Sequence, residues 1–209
     1  MRRRPDQPRA SSLSRTLVVA LALVIAACSQ GATTTFDPAA PCTADAKLPG
    51  AYPALEALIP RTFDGRPPDR LDSGRNCTSR SLGLLATAGY HEVHFAGGLW
   101  EVGQRSGVTL AVFTAEGLTA AQLADFYEAG ARAASKTENV TRSTVDVEGA
   151  QAIQIETLND ESFQTIVVWP GSERDTVRAV LVASDVRESK GIADHRERLA
   201  AAEAAFAAS

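Results

Sequence analysis

Between residues 162 and 184, two consecutive β-patterned segments carry apolar side chains on both of their alternating sets, the tightest constraint this chain places on its own fold. In 176–184, Val177, Ala179 and Leu181 share one parity and Val180 and Val182 the other; in 162–169, Ile166 and Val168 stand opposite Phe163 and Val167. Strand side chains alternate between the two faces of a sheet, so such strands need cover on both. Helices packed on each side of an antiparallel sheet would supply it, which places the chain in the α+β class. With 209 residues, 44% of them hydrophobic and 22% charged, it has enough apolar material for one such core and no collagenous or disordered signature.

The remaining pattern is consistent with that class. Strands are expected at 91–96 and 99–102, joined through Gly97 and Gly98 as a two-residue hairpin, and at 108–114, 143–148, 151–158, 162–169 and 176–184. A sheet of about six to seven strands follows. Thr119 with Gln122 forms a capping box ahead of a helix at about 119–135, and Ile192, Leu199 and Phe206 mark a closing helix at about 187–207. Short helices are expected at 53–59 and 80–88, the second stopped at Gly89, with a loop rich in Arg, Asp, Gly and Pro between them running to Cys77. Three strands and then an Ala-rich helix occur twice, in 91–134 and 151–207, so a βββα pseudo-repeat is expected.

The N-terminus has a different character. Arg2, Arg3, Arg4, Arg9 and Arg15 precede eleven consecutive apolar residues, Leu17 to Ala27, the arrangement of an export signal. The run is short of the roughly 20 apolar residues needed to cross a bilayer. Ile25, Ala26, Ala27 and Cys28 then resemble the lipobox of bacterial lipoprotein signal peptides, a resemblance confined to residues 1–28. It implies cleavage before Cys28, acylation of that cysteine and a lipid anchor on the extracytoplasmic face of the cell membrane. The chain accordingly divides into a signal peptide (1–27), a tether (28–41) rich in Thr and Pro, and one globular unit (42–209).

With Cys28 assigned to the lipid, Cys42 and Cys77 remain as a pair that can oxidise outside the cytoplasm, fastening the Pro- and Gly-rich segment between them. Removing residues 1–27 takes away five arginines and one aspartate and moves the formal net charge from −4 to −8. An acidic surface of that size repels phosphate-rich partners, so no nucleic acid is expected and contact with the membrane is expected through the anchor alone.

Catalytic signatures are sparse. His91 and His94, three apart on a strand, would point to opposite faces and could not converge on a metal. His195 lies on the apolar seam of the last helix, where a boundary histidine with one hydrogen bond is expected. Trp100 and Trp169 share parity with Val102 and Val167 and are expected in the core rather than on a ligand platform. No cofactor, metal or catalytic residue is assigned. The sequence points to a non-enzymatic module of the cell envelope that binds an envelope protein or a small extracellular ligand. The alternative is a secreted-side hydrolase or metal-dependent enzyme using His91, His94 or the acidic turns.

Overall fold

The computed structural model describes residues 36–134, 137, 139–158 and 161–209. The expected signal peptide (1–27), Cys28, the first part of the expected tether and the turn residues Asn159 and Asp160 lie outside these.

One antiparallel sheet organises the chain. Its strands are β1 (Ala46–Leu48), β2 (Arg70–Asn76), β3 (Val93–Glu101), β4 (Gly107–Thr114), β5 (Val140–Val147), β6 (Ala150–Leu158), β7 (Ser162–Pro170) and β8 (Thr176–Asp185). Across the sheet they run β1-β2-β3-β4-β8-β7-β6-β5. Four consecutive strands fill each half, and the halves meet where Val108 to Thr114 pairs with Val182 to Thr176. The helices are α1 (Pro53–Glu56), α2 (Ser79–Leu82), α3 (Leu84–Thr87), α4 (Ala120–Ala133) and α5 (Ile192–Ala207).

The α+β class and the antiparallel sheet are as expected, but the strand count is eight rather than six to seven. Two expected strands merge into β3, and two that were not expected, β1 and β2, are added. Gly97 and Gly98 make no hairpin: β3 runs straight through them, with Gly97 opposite Ala111 and Gly98 opposite Leu110. A Cβ on Gly98 would stand 2.8 Å from the Trp100 ring and 2.9 Å from Ile59, so this glycine makes room for an indole. Arg70–Asn76, expected as loop, is β2 and pairs along its whole length with β3. The strand lacks apolar alternation because its buried side chains include Ser73 and Arg75, held by hydrogen bonds instead of hydrophobic contact.

The sequence around 79–89 divides into two single turns because Gly83, at φ 50° and ψ −122°, interrupts the helical path; Gly89 ends the second at φ 97°. Thr119 and Gln122 do form the reciprocal capping box of α4. Helix α5 starts at Ile192, after Gly191, rather than near 187.

Buried apolar residues sort by strand parity into two clusters. Trp100, Val108, Leu110, Val167, Trp169, Val180 and Val182 pack with Leu199, Ala202 and Phe206. Phe95, Phe113, Ile166, Val168, Val177 and Ala179 pack with Leu123 and Ala124. Both tryptophans are core residues, as their parity indicated: Trp100 donates its indole N–H to the Arg66 carbonyl at 2.9 Å, and Trp169 meets Phe206 edge-on.

Candidate functional site

Cys42 and Cys77 are joined by a disulfide, with Cα atoms 6.1 Å apart. Asp45 supports the bridge from below. Its carboxylate accepts from the Cys77 and Thr78 amides at 2.8 and 3.0 Å, from the Thr78 hydroxyl at 2.6 Å and from Ser81 Oγ at 2.7 Å. Burial works against the charge, yet these hydrogen bonds outweigh it and hold the carboxyl below its ordinary value.

Beside the bridge lies a buried cation that sequence reading missed. Arg75 donates to the carbonyls of Asp37, Pro38 and Ala40, the last at 2.5 Å, and its guanidinium lies over the Phe36 ring at 5.2 Å. Residues 36–40, assigned to the tether, are thereby strapped onto the sheet, and Phe36 meets the Tyr52 ring edge-on. The signal was present in the sequence only as an arginine in a loop, with nothing to mark it as buried.

The histidines occupy separate environments. His91 is exposed just ahead of β3. His94 is stacked on Tyr52 with centroids 4.5 Å apart, and its Nε2 meets Glu92 Oε1 at 2.8 Å. A shallow cleft of about 370 Å³ opens beside it, lined by Glu92, His94, Thr114, Ala115 and Glu116. Among the described residues no three His, Cys, Asp or Glu side chains come together in a way that could hold a metal ion. A second shallow cleft, of about 330 Å³, lies between α1 and β2 against Ile59, Pro60, Pro68 and Leu71.

His195 is wholly buried and makes two hydrogen bonds rather than the one expected. Its Nε2 lies 2.9 Å from Thr165 Oγ1 and its Nδ1 lies 2.9 Å from Ser184 Oγ, which also accepts from Arg198 Nη1 at 3.2 Å. Burial, with Arg198 and Arg196 adding to it against Asp194, holds the imidazole down to about 4, so it is neutral at physiological pH. A histidine beside a serine has the makings of a nucleophile and base, but Ser184 and Thr165 are fully buried as well. The trio clasps α5 to β7 and β8. Thr165 and Ser184 break the apolar parity of Val167, Trp169, Val180 and Val182, and that break was the available sequence signal.

A third group closes the turn after β3. Ser106 Oγ donates to Glu188 at 2.8 Å and accepts from the Asp185 amide at 3.0 Å, while Arg105 forms an ion pair with Asp185. These contacts tie 103–107 to the segment leading into α5.

The surface offers little apolar area: among the described residues, Leu48 and Leu84 are the large hydrophobic side chains left exposed. At one end of the sheet lies the edge strand β5, where Thr141, Arg142, Ser143, Thr144 and Asp146 are exposed. No protein-family model, no curated protein and no solved structure matches this chain. Among the described residues, no helix is long and apolar enough to cross a membrane.

Proposed function

We propose that this chain is a lipoprotein acylated at Cys28, held on the extracytoplasmic face of the cell membrane, whose sheet-and-helix unit is a non-enzymatic interaction module. The observation that carries the module reading is the eight-residue edge strand β5, five of whose residues are exposed, a surface suited to adding a strand from another protein. The shallow clefts beside His94 and α1 suit a receptor for a small ligand less well, because such ligands favour deep, largely enclosed sites. The Cys42–Cys77 bridge supports an oxidising compartment, and the lipobox residues Ile25 to Cys28 support the anchor.

The same reading extends to the architecture. Of the two expected βββα units, 151–207 has three strands (β6, β7 and β8) before α5, whereas 91–134 has β3 and β4 before α4, because the strands expected at 91–96 and 99–102 are one; we place α4 and α5 on opposite faces of the sheet. In support, Leu123 and Ala124 of α4 join one core cluster while Leu199, Ala202 and Phe206 of α5 join the other.

Fractionation tests the anchor. The wild-type protein should partition with the membrane and Cys28→Ser should not; a wild type that is unacylated and stays in the aqueous phase contradicts it.

A further inference from the structure

The two ends of the sheet are built differently. Strand β1 is three residues long and carries Lys47, whereas β5 is eight residues long with no lysine, proline or glycine, and five of the eight are Val or Thr. Proteins blunt sheet edges with short strands, lysines, prolines or bulges, because an open rim is a template for another strand. The β1 end has two of those devices. The β5 end is long, rich in β-branched residues and exposed from Thr141 to Thr144, and its two charges, Arg142 and Asp146, are of opposite sign.

We propose that β5 pairs with β5 of a second copy of this chain, antiparallel, about a two-fold axis through Thr144. The proposal rests on the reading of the chain as a membrane-held interaction module and names its partner. Charge selects both partner and register. Arg142, Thr144 and Asp146 share one face of the strand. Pairing about Thr144 sets Arg142 opposite Asp146 of the second copy, and by symmetry does so twice; parallel pairing in register would set like charges against each other.

Arg142 bonds Asp125 at 2.6 Å and Glu128 at 2.8 Å, both through Nη1. A guanidinium carries five N–H donors, so a third carboxylate can join. Arg132 also bonds Glu128, so two arginines balance two carboxylates in that cluster before Asp146 arrives. Lipid anchoring adds to the effect, because two copies confined to one surface meet at a raised effective concentration.

Thr144→Cys and Thr141→Cys, each in the full chain in its own membrane, distinguish this register under mild oxidation. Thr144 faces its own counterpart, while Thr141 is displaced from its counterpart by six residues, about 20 Å. Cysteine Cα atoms must approach within about 7 Å, so Thr144→Cys should give at least about tenfold more disulfide-linked dimer. Arg142→Asp in the Thr144→Cys background should abolish that dimer, and adding Asp146→Arg should restore it. Equal yields from the two cysteine positions, or no dimer from either, overturn the pairing. A photo-reactive residue at position 144, in the same membrane, separates this proposal from the reading beneath it. An adduct of twice the chain mass supports self-pairing. An adduct of any other mass overturns self-pairing and leaves the interaction module standing, and no protein adduct overturns both.

Discussion

At the scale of single residues, two buried positions carry most of what the structure adds. His195 is neutral in the folded protein and held down to about 4, against an ordinary value of 6.5. As pH falls through 6.5 the unfolded chain takes up a proton that the native chain refuses until about 4, so the unfolded state binds more protons across that window. Stability is therefore full above 6.5 and declines down to about 4, by a total on the order of 3 kcal/mol. Urea titrations of the wild type at pH 7, 6, 5 and 4 should show that decline, and His195→Gln should lack it. Asp45 and Glu128, whose carboxyls are held below their ordinary values, lose their contributions at lower pH still. Gly98 carries the second prediction. Any side chain there meets Trp100 and Ile59 at under 3 Å, so Gly98→Val should destabilise by roughly 1–3 kcal/mol, read as a lowered urea midpoint with an unchanged m-value. The parity of Trp100 and Trp169 was legible because an apolar neighbour on the same face is a local signal. The roles of Gly98 and Arg75 were not, since each depends on a group distant in sequence: Ile59 on one side, the strap at 37–40 on the other.

At the scale of elements, the segments that announced themselves are those stabilised by their own sequence. Helix α4 has a reciprocal capping box, and β4, β7 and β8 have apolar sets on both parities, so local pattern and tertiary role agree. Strand β2 announced nothing. Its inward residues Ser73 and Arg75 bond the Tyr52 amide and the strap carbonyls, contacts that a hydrophobic period cannot register. The β2 region is also where the disulfide acts. Closing a loop of 35 residues stabilises by roughly 3–4 kcal/mol on the chain-entropy model. A Cys42→Ser, Cys77→Ser double variant should lose about that much in chemical denaturation. Equal stability of the double variant would show that Asp45 and its four hydrogen bonds hold the segment without the bridge.

At the scale of the whole molecule, eight antiparallel strands meet at the β4–β8 pair, with a cluster of buried side chains on each strand parity. The class was readable because two-sided apolar strands permit few alternatives. The order of strands was not, because it is set by long-range pairing such as β4 with β8, whose residues lie about 70 apart in sequence. The candidate site was legible only in part: Cys42 and Cys77 were paired from their count, whereas the β5 rim is a property of the finished sheet. In the function proposed, a lipid anchor at Cys28 sets where the β5 edge can act. The most direct test of that account is the intact mass of the protein extracted from its native membrane, before and after reduction. The expected mass is that of residues 28–209 plus acyl chains, with a gain of two hydrogens on reduction as the Cys42–Cys77 bridge opens. A chain retaining residues 1–27, or lacking acyl groups, would contradict it.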